Sequence, residues 1–281
     1  MVSLMAENAG FFYRALASYL TRQVGLRIEL EESVPWQERE RMLDRGEVEI
    51  GFICGLPYVW KADQPNPHLE LLAAPVMRGA RYRGRPVYFS DVVVRRESAF
   101  RQFTDLRGSS WAYNEPTSHS GYLLTRCHLA RLGELDGFFA RVVEAGAHQT
   151  ALRWVIDGTV DASAIDSTVL ELELTLHPEL APLIRVVETL GPSPIPPAVI
   201  STRVPLMIRR ALQTALLEMH ENDEGREILA AAMTKRFVEI TDAEYNPIRR
   251  MALEAAFVQW TPLPALPDPA SSRDETGDAR R

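Results

Sequence analysis

Hydrophobic positions along the chain switch between two spacings. Residues 11–24 place Phe12, Leu16 and Leu20 on one stripe, which predicts an amphipathic helix, and Gly25 stands where such a helix stops. Residues 36–45 follow Pro35 as a charged helix ended by Gly46. Residues 2–6, 27–30, 48–54, 69–77 and 86–95 read as strands. The second half repeats the pattern. Strands are expected at 110–113, 141–145, 160–166 and 184–188, and helices at 122–132, 149–156, 204–220 and 225–235. Residues 191–197 carry four prolines and read as a stiff, extended crossing. Residues 261–281 are rich in Pro, Ser, Asp and Arg, and are expected to be a disordered tail. Strands alternating with helices predict open α/β sheets with helices on their faces.

One segment stands out chemically. After the strand at 110–113 comes Asn114-Glu115-Pro116-Thr117-Ser118-His119-Ser120-Gly121, and then a helix. A helix start exposes unpaired N–H groups and the positive end of the helix dipole. Hydroxyls from Thr117, Ser118 and Ser120 at that point suit a phosphate-like or carboxylate anion. Ser118 or Ser120 is equally suited to be a plain helix cap. Other polar groups follow strands: Glu7 and Asn8, residues 54–58, and residues 147–149. In open α/β sheets ligands sit beyond the carboxyl ends of strands. If these loops converge, they bring together hydroxyls, the imidazoles of His119 and His148, and the phenol of Tyr58. Taken alone, His148 also fits a capping or surface histidine, and Tyr58 a core aromatic. Asp161 also fits a turn end, and Asp166 could face a hydroxyl or cationic part of a ligand.

Composition narrows the function. The chain has 281 residues, 46% hydrophobic and 25% charged, an ordinary globular balance for one large or two moderate domains. A net charge of −7 argues against nucleic-acid partners, which need basic patches. No apolar run is long enough to cross a bilayer. Two cysteines, Cys54 and Cys127, make no disulfide framework, and nothing in the sequence supports pairing them. Metal-binding, Walker, Rossmann and nucleophile-elbow motifs are missing, so no cofactor, metal or catalytic set is expected. The opening Met1-Val2-Ser3-Leu4-Met5-Ala6 lacks the basic and apolar stretches of a secretory leader.

Several landmarks, in order, resemble the phosphate/phosphite/phosphonate substrate-binding proteins of ABC importers. They are Gly46-Glu47-Val48-Glu49-Ile50-Gly51-Phe52 with Gly55-Leu56-Pro57-Tyr58, Val92-Val93-Val94-Arg95 with Ser98, and Asp105-Leu106-Arg107-Gly108. Next come Glu115-Pro116-Thr117-Ser118-His119-Ser120-Gly121-Tyr122, Gly146-Ala147-His148, and Gly158-Thr159-Val160-Asp161-Ala162-Ser163-Ala164-Ile165-Asp166. The likeness spans residues 2–247. It implies a two-lobed type II periplasmic-binding-protein fold, each lobe an open mixed sheet flanked by helices, with ligand in the cleft. Lobe one would comprise residues 1–91 and 200–260 and lobe two residues 92–199, with crossings at 91–94 and 197–202. The resemblance also implies that Thr117, Ser118, the His119 backbone, Ser120 and His148 hold an anionic head group. Tyr58 and Tyr88 would be the site's aromatics, and Asp166 would meet an amino group of the ligand. His119 stands between the serines where many relatives carry a smaller residue. The implied protein is a monomeric periplasmic binding component that delivers a small oxyanion to a membrane permease and catalyses nothing. A cytoplasmic lyase on the same scaffold, which would need no leader, and a ligand-sensing subunit are the alternatives.

Overall fold

The stripe of Phe12, Leu16 and Leu20 forms α1 (Gly10–Val24), which buries those side chains together with Tyr13, Ala17 and Tyr19. Gly25 ends it in the left-handed region at φ 67°, its N–H returning to the Thr21 carbonyl. The computed structural model describes residues 1–260, so the expected disordered tail at 261–281 lies outside the described residues.

Two five-stranded sheets organise the molecule. The first contains β1 (Val2–Ser3), β2 (Ile50–Phe52), β3 (Leu69–Met77), β9 (Ala198–Ser201) and β10 (Thr234–Val238). Their order is β1-β2-β9-β3-β10, with β9 antiparallel to both neighbours. The second contains β4 (Val87–Arg95), β5 (Ser110–Tyr113), β6 (Arg141–Glu144), β7 (Ala162–Asp166) and β8 (Ile184–Pro194), in the order β6-β5-β7-β4-β8. Here β5 runs parallel to β6 and β7, while β4 is antiparallel to β7 and β8. Both sheets are therefore mixed, as expected.

The chain passes between the sheets at 78–86 and 195–197. This corrects the expected crossings. Residues 91–94 lie inside β4, buried and paired on both sides, and 198–201 form β9 in the first sheet. The proline-rich segment is largely the end of β8. Where the chain crosses, Ala74, Met77, Tyr82, Tyr88 and Ile195 pack as a small apolar cluster joining the lobes. Beside it Arg81 forks onto Asp91 at 2.7 and 2.9 Å and reaches Glu171 at 3.1 Å. A bidentate pair to a buried carboxylate ties the first connector to the second lobe.

The remaining helices are α2 (Trp36–Arg45), α3 (Gly55–Ala62), α4 (Leu124–Arg131), α5 (His148–Asp157), α6 (Ser167–Leu176), α7 (Leu206–Leu217), α8 (Asp223–Ala231) and α9 (Asn246–Ala255). Residues 27–30, expected as a strand, form no ladder. They meet the chain start only through the amino terminus on the Glu29 carbonyl and the Glu31 N–H on the Met1 carbonyl. The helix expected at 225–235 stops at Ala231, and its last residues turn into β10 against β3. The helix α9, placed in lobe one by sequence, packs on both lobes. Arg249 pairs with Asp63 just beyond α3 at 2.6 Å, and Glu254 pairs with Arg131 of α4 at 2.7 Å.

Candidate functional site

The strand β5 delivers the chain to the Ser-rich turn, which opens a wide helical turn (His119–Leu123) continuing into α4. Ser118 has extended backbone, φ −73° and ψ 129°, and its Oγ accepts the Gly121 N–H at 3.0 Å. Ser118 is thus the helix cap. Ser120 is not. Its Oγ lies 3.2 Å from Nε2 of His148, the first residue of α5, and its carbonyl accepts the Ser90 hydroxyl at 2.8 Å. Tyr88 and Ser90 are two apart on β4 and so share a face. The Tyr88 hydroxyl lies beside the side chains of Ser120 and Cys54. It is fully buried and has no hydrogen-bond partner, and the same lack holds for Asn114 Oδ1 and His148 Nδ1. Several unpartnered buried polar groups close to one helix start call for an explanation.

His119 is held twice. Its N–H donates to Cys54 Sγ at 3.4 Å, and its ring Nε2 sits 2.9 Å from the Ser193 hydroxyl. Thr117 is partly exposed and lies against the Glu115 carboxyl. Asp166 caps α6, accepting the N–H and hydroxyl of Thr168 at 2.7 Å each. It also lines a cavity of about 80 Å³ between the lobes, with Tyr13 and Phe52 on the facing side. Tyr58 stands apart. Its ring packs on Tyr245 at 4.7 Å, and its hydroxyl donates to Asp242 at 2.9 Å. Because α3 begins at Gly55, its first turn carries Tyr58 toward the C-terminal segment, leaving Cys54 to meet the Ser-rich turn.

Five of the eight candidates therefore gather at the turn: Tyr88, Ser118, His119, Ser120 and His148. Asp166 lines the adjoining cavity, Thr117 borders Glu115, and Tyr58 serves elsewhere. Sequence reasoning passed over Ser90, Asn114 and Cys54 as site residues. Ser90 had a signal, a hydroxyl two residues from Tyr88 on the same strand. Cys54 stood at the head of the strand-following loop 54–58, of which Tyr58 alone was taken as a site residue. Both cysteines are free thiols.

Burial sets the charges. It pushes His119 down to about 3 and His148 down to about 4, so both imidazoles are neutral near neutrality. It raises Asp166 to about 6, although the Thr168 donors oppose this. Glu115 rises to about 7, through burial first and the nearby Glu40 second. The sign for stability follows. An unfolded chain protonates His148 near its ordinary value, whereas the folded protein refuses the proton until about pH 4. Its contribution is present above the unfolded value and is lost as pH falls through that window. Asp166 and Glu115 act oppositely, because their raised values favour the folded state as pH falls. His148→Gln should therefore lose less stability than wild type between about pH 6.5 and 4, the difference reaching at most about 3 kcal/mol. Urea melts across that range read the difference, and parallel curves would refute it.

Comparison with known proteins places this geometry in a family. The model of the ABC transporter, phosphonate, periplasmic substrate-binding protein family matches residues 9–245. A binding protein component of an ABC phosphonate transporter from Pseudomonas aeruginosa superposes with a TM-score of 0.79 at 18% identity, covering 91% of this chain and 85% of that one. PhnD1 from Prochlorococcus marinus, in complex with methylphosphonate, gives 0.76 at 15% identity over 92% and 97%. XAC2383 from Xanthomonas citri, bound to ATP, gives 0.69 at 18% over 91% and 96%. At such identities these likenesses establish the type II periplasmic-binding-protein fold. The family consists of binding components that take up a small ligand and work with a membrane permease, a transport role and not a catalytic one. The chain belongs to this family of ABC phosphonate-transporter periplasmic substrate-binding proteins, and its role is solute binding.

Proposed function

We propose that the protein captures a small phosphonate-class oxyanion (phosphonate, phosphite or phosphate) where the Ser-rich turn meets the first lobe. It then presents the closed, loaded form to an ABC permease. The observation that carries this reading is the cluster of Ser120, His148 and Tyr88 at a capped helix start. These groups are buried, and the Tyr88 hydroxyl is left without a partner. Hydroxyl, imidazole N–H and helix N–H groups donate to a charged oxygen without bringing a countercharge of their own. Selectivity would then rest on geometry and on the count of donors. The role of PhnD1, crystallised with methylphosphonate, supports the ligand class. The family's usual place supports action in the periplasm. We take the working unit to be one chain with one ligand. A lyase on this scaffold is not favoured by a family of transport binding proteins.

Calorimetry with methylphosphonate, phosphite, phosphate and acetate tests the proposal directly. One of the three phosphorus oxyanions should bind with a stoichiometry of one and remain chemically intact. No heat with any of them, or multiple turnovers to a product, would overturn it.

A further inference from the structure

A first-lobe residue that meets the turn by a hydrogen bond is Cys54, immediately before α3. Its sulfur accepts the His119 N–H at 3.4 Å across the lobe boundary and also feels the Leu56 N–H of α3. Two helix starts, one from each lobe, therefore act on a single sulfur. A second observation points to the same spot. The fully buried Tyr88 hydroxyl, without a hydrogen-bond partner, lies beside this thiol and beside Ser120. A neutral sulfur is a weak acceptor, well below a phosphonate oxygen, yet it holds an N–H of the anion-receptor turn. Burial pushes the Cys54 thiol up to about 11, so it stays protonated and keeps an S–H of its own.

From this arrangement, and resting on the oxyanion reading above, we infer that Cys54 forms the first lobe's wall of the anion site. Its sulfur holds the His119 N–H until a phosphonate-class oxygen takes that donor. The thiol then faces the ligand as a weak donor that closes the site from the first lobe. A neutral residue of similar size should serve at this position. A carboxylate should not, because it would place a fixed negative charge where the ligand's charge must sit.

Two measurements on the full chain test this. A Cys127→Ser variant leaves Cys54 as the single thiol. Its alkylation by iodoacetamide, followed by intact mass, should slow about tenfold when methylphosphonate is present at about ten times its Kd. Calorimetry should then show Cys54→Asn within about fivefold of wild type and Cys54→Asp weaker by about 100-fold or more. If wild type binds methylphosphonate but ligand leaves the alkylation rate unchanged, or Cys54→Asp binds like Cys54→Asn, the inference is overturned while the oxyanion reading stands. If wild type binds none of the phosphorus oxyanions, the reading fails and the inference with it. Should Cys54→Asp fail to fold, the protection measurement alone decides.

Discussion

Ser120→Asp should leave no measurable affinity for methylphosphonate, with a lower melting temperature from the buried carboxylate. Ser120 is not the helix cap, and its Oγ stands at the imidazole of His148 in a buried setting. A carboxylate there would repel the incoming anion at close range in a medium that screens poorly. Ser120→Ala is the milder case. A hydrogen bond to a charged partner contributes about 1.5–3 kcal/mol, so this variant should bind about 10- to 150-fold more weakly. Ser118→Ala provides the contrast. It removes a cap and should cost about 1 kcal/mol of stability, read by thermal melting, with a smaller effect on affinity than Ser120→Ala. Equal loss of affinity in the two alanine variants would show that both serines act on the ligand only through the helix they start. Wild-type binding by Ser120→Asp would remove the anion from this site altogether.

Gly121→Ala should damage both stability and binding. A Cβ at Gly121 would overlap Oδ1 of Asn114 and come within 3.1 Å of Cε1 of His148. Both neighbours are buried and cannot swing into solvent. Overpacking of this kind costs about 1–3 kcal/mol, which for a chain of this size lowers the melting temperature by several degrees. Any shift of His148 to relieve the overlap alters its approach to Ser120, so affinity should fall as well. Asn114→Ala in the Gly121→Ala background makes room and should recover most of the lost stability. If the single variant melts like wild type, the packing at this helix start is looser than described. If the double variant is no more stable than the single one, Asn114 is not the obstacle.

The parts of the fold with strong local signals were legible in the chain. α1 followed from an unbroken four-residue stripe and its glycine stop. The strand-turn-helix at residues 110–131, with its serine cap, followed from hydroxyls crowding the point where a strand gives way to a helix. Less was visible where meaning depends on distant partners. Four-residue β9, three apolar residues and a buried serine, becomes a strand because β2 and β3 lie on either side of it. The lobe boundary was set at 91–94, Asp91 and the three valines after it, although the stretch Arg78-Gly79-Ala80-Arg81-Tyr82-Arg83-Gly84-Arg85, rich in Gly and Arg, marks the real connector. Tyr58 lies away from the turn for a directional reason, because the side a helix turns a ring toward is fixed by what it packs against. Here that partner is Tyr245, 187 residues downstream.

The central place of β9 in the first sheet bears on the order in which the molecule is built. During synthesis β1, β2 and β3 leave the ribosome early, but β2 and β3 do not pair with each other, and the strand that joins them comes only after Pro194. Every strand of the second sheet has been made by that point. Domains fold as units as they emerge, so the lobe encoded in the middle of the gene completes its sheet while the one encoded first still waits for its central strand β9 and its edge strand β10. The half that carries the Ser-rich turn has all its strands before the half that faces it has its central one.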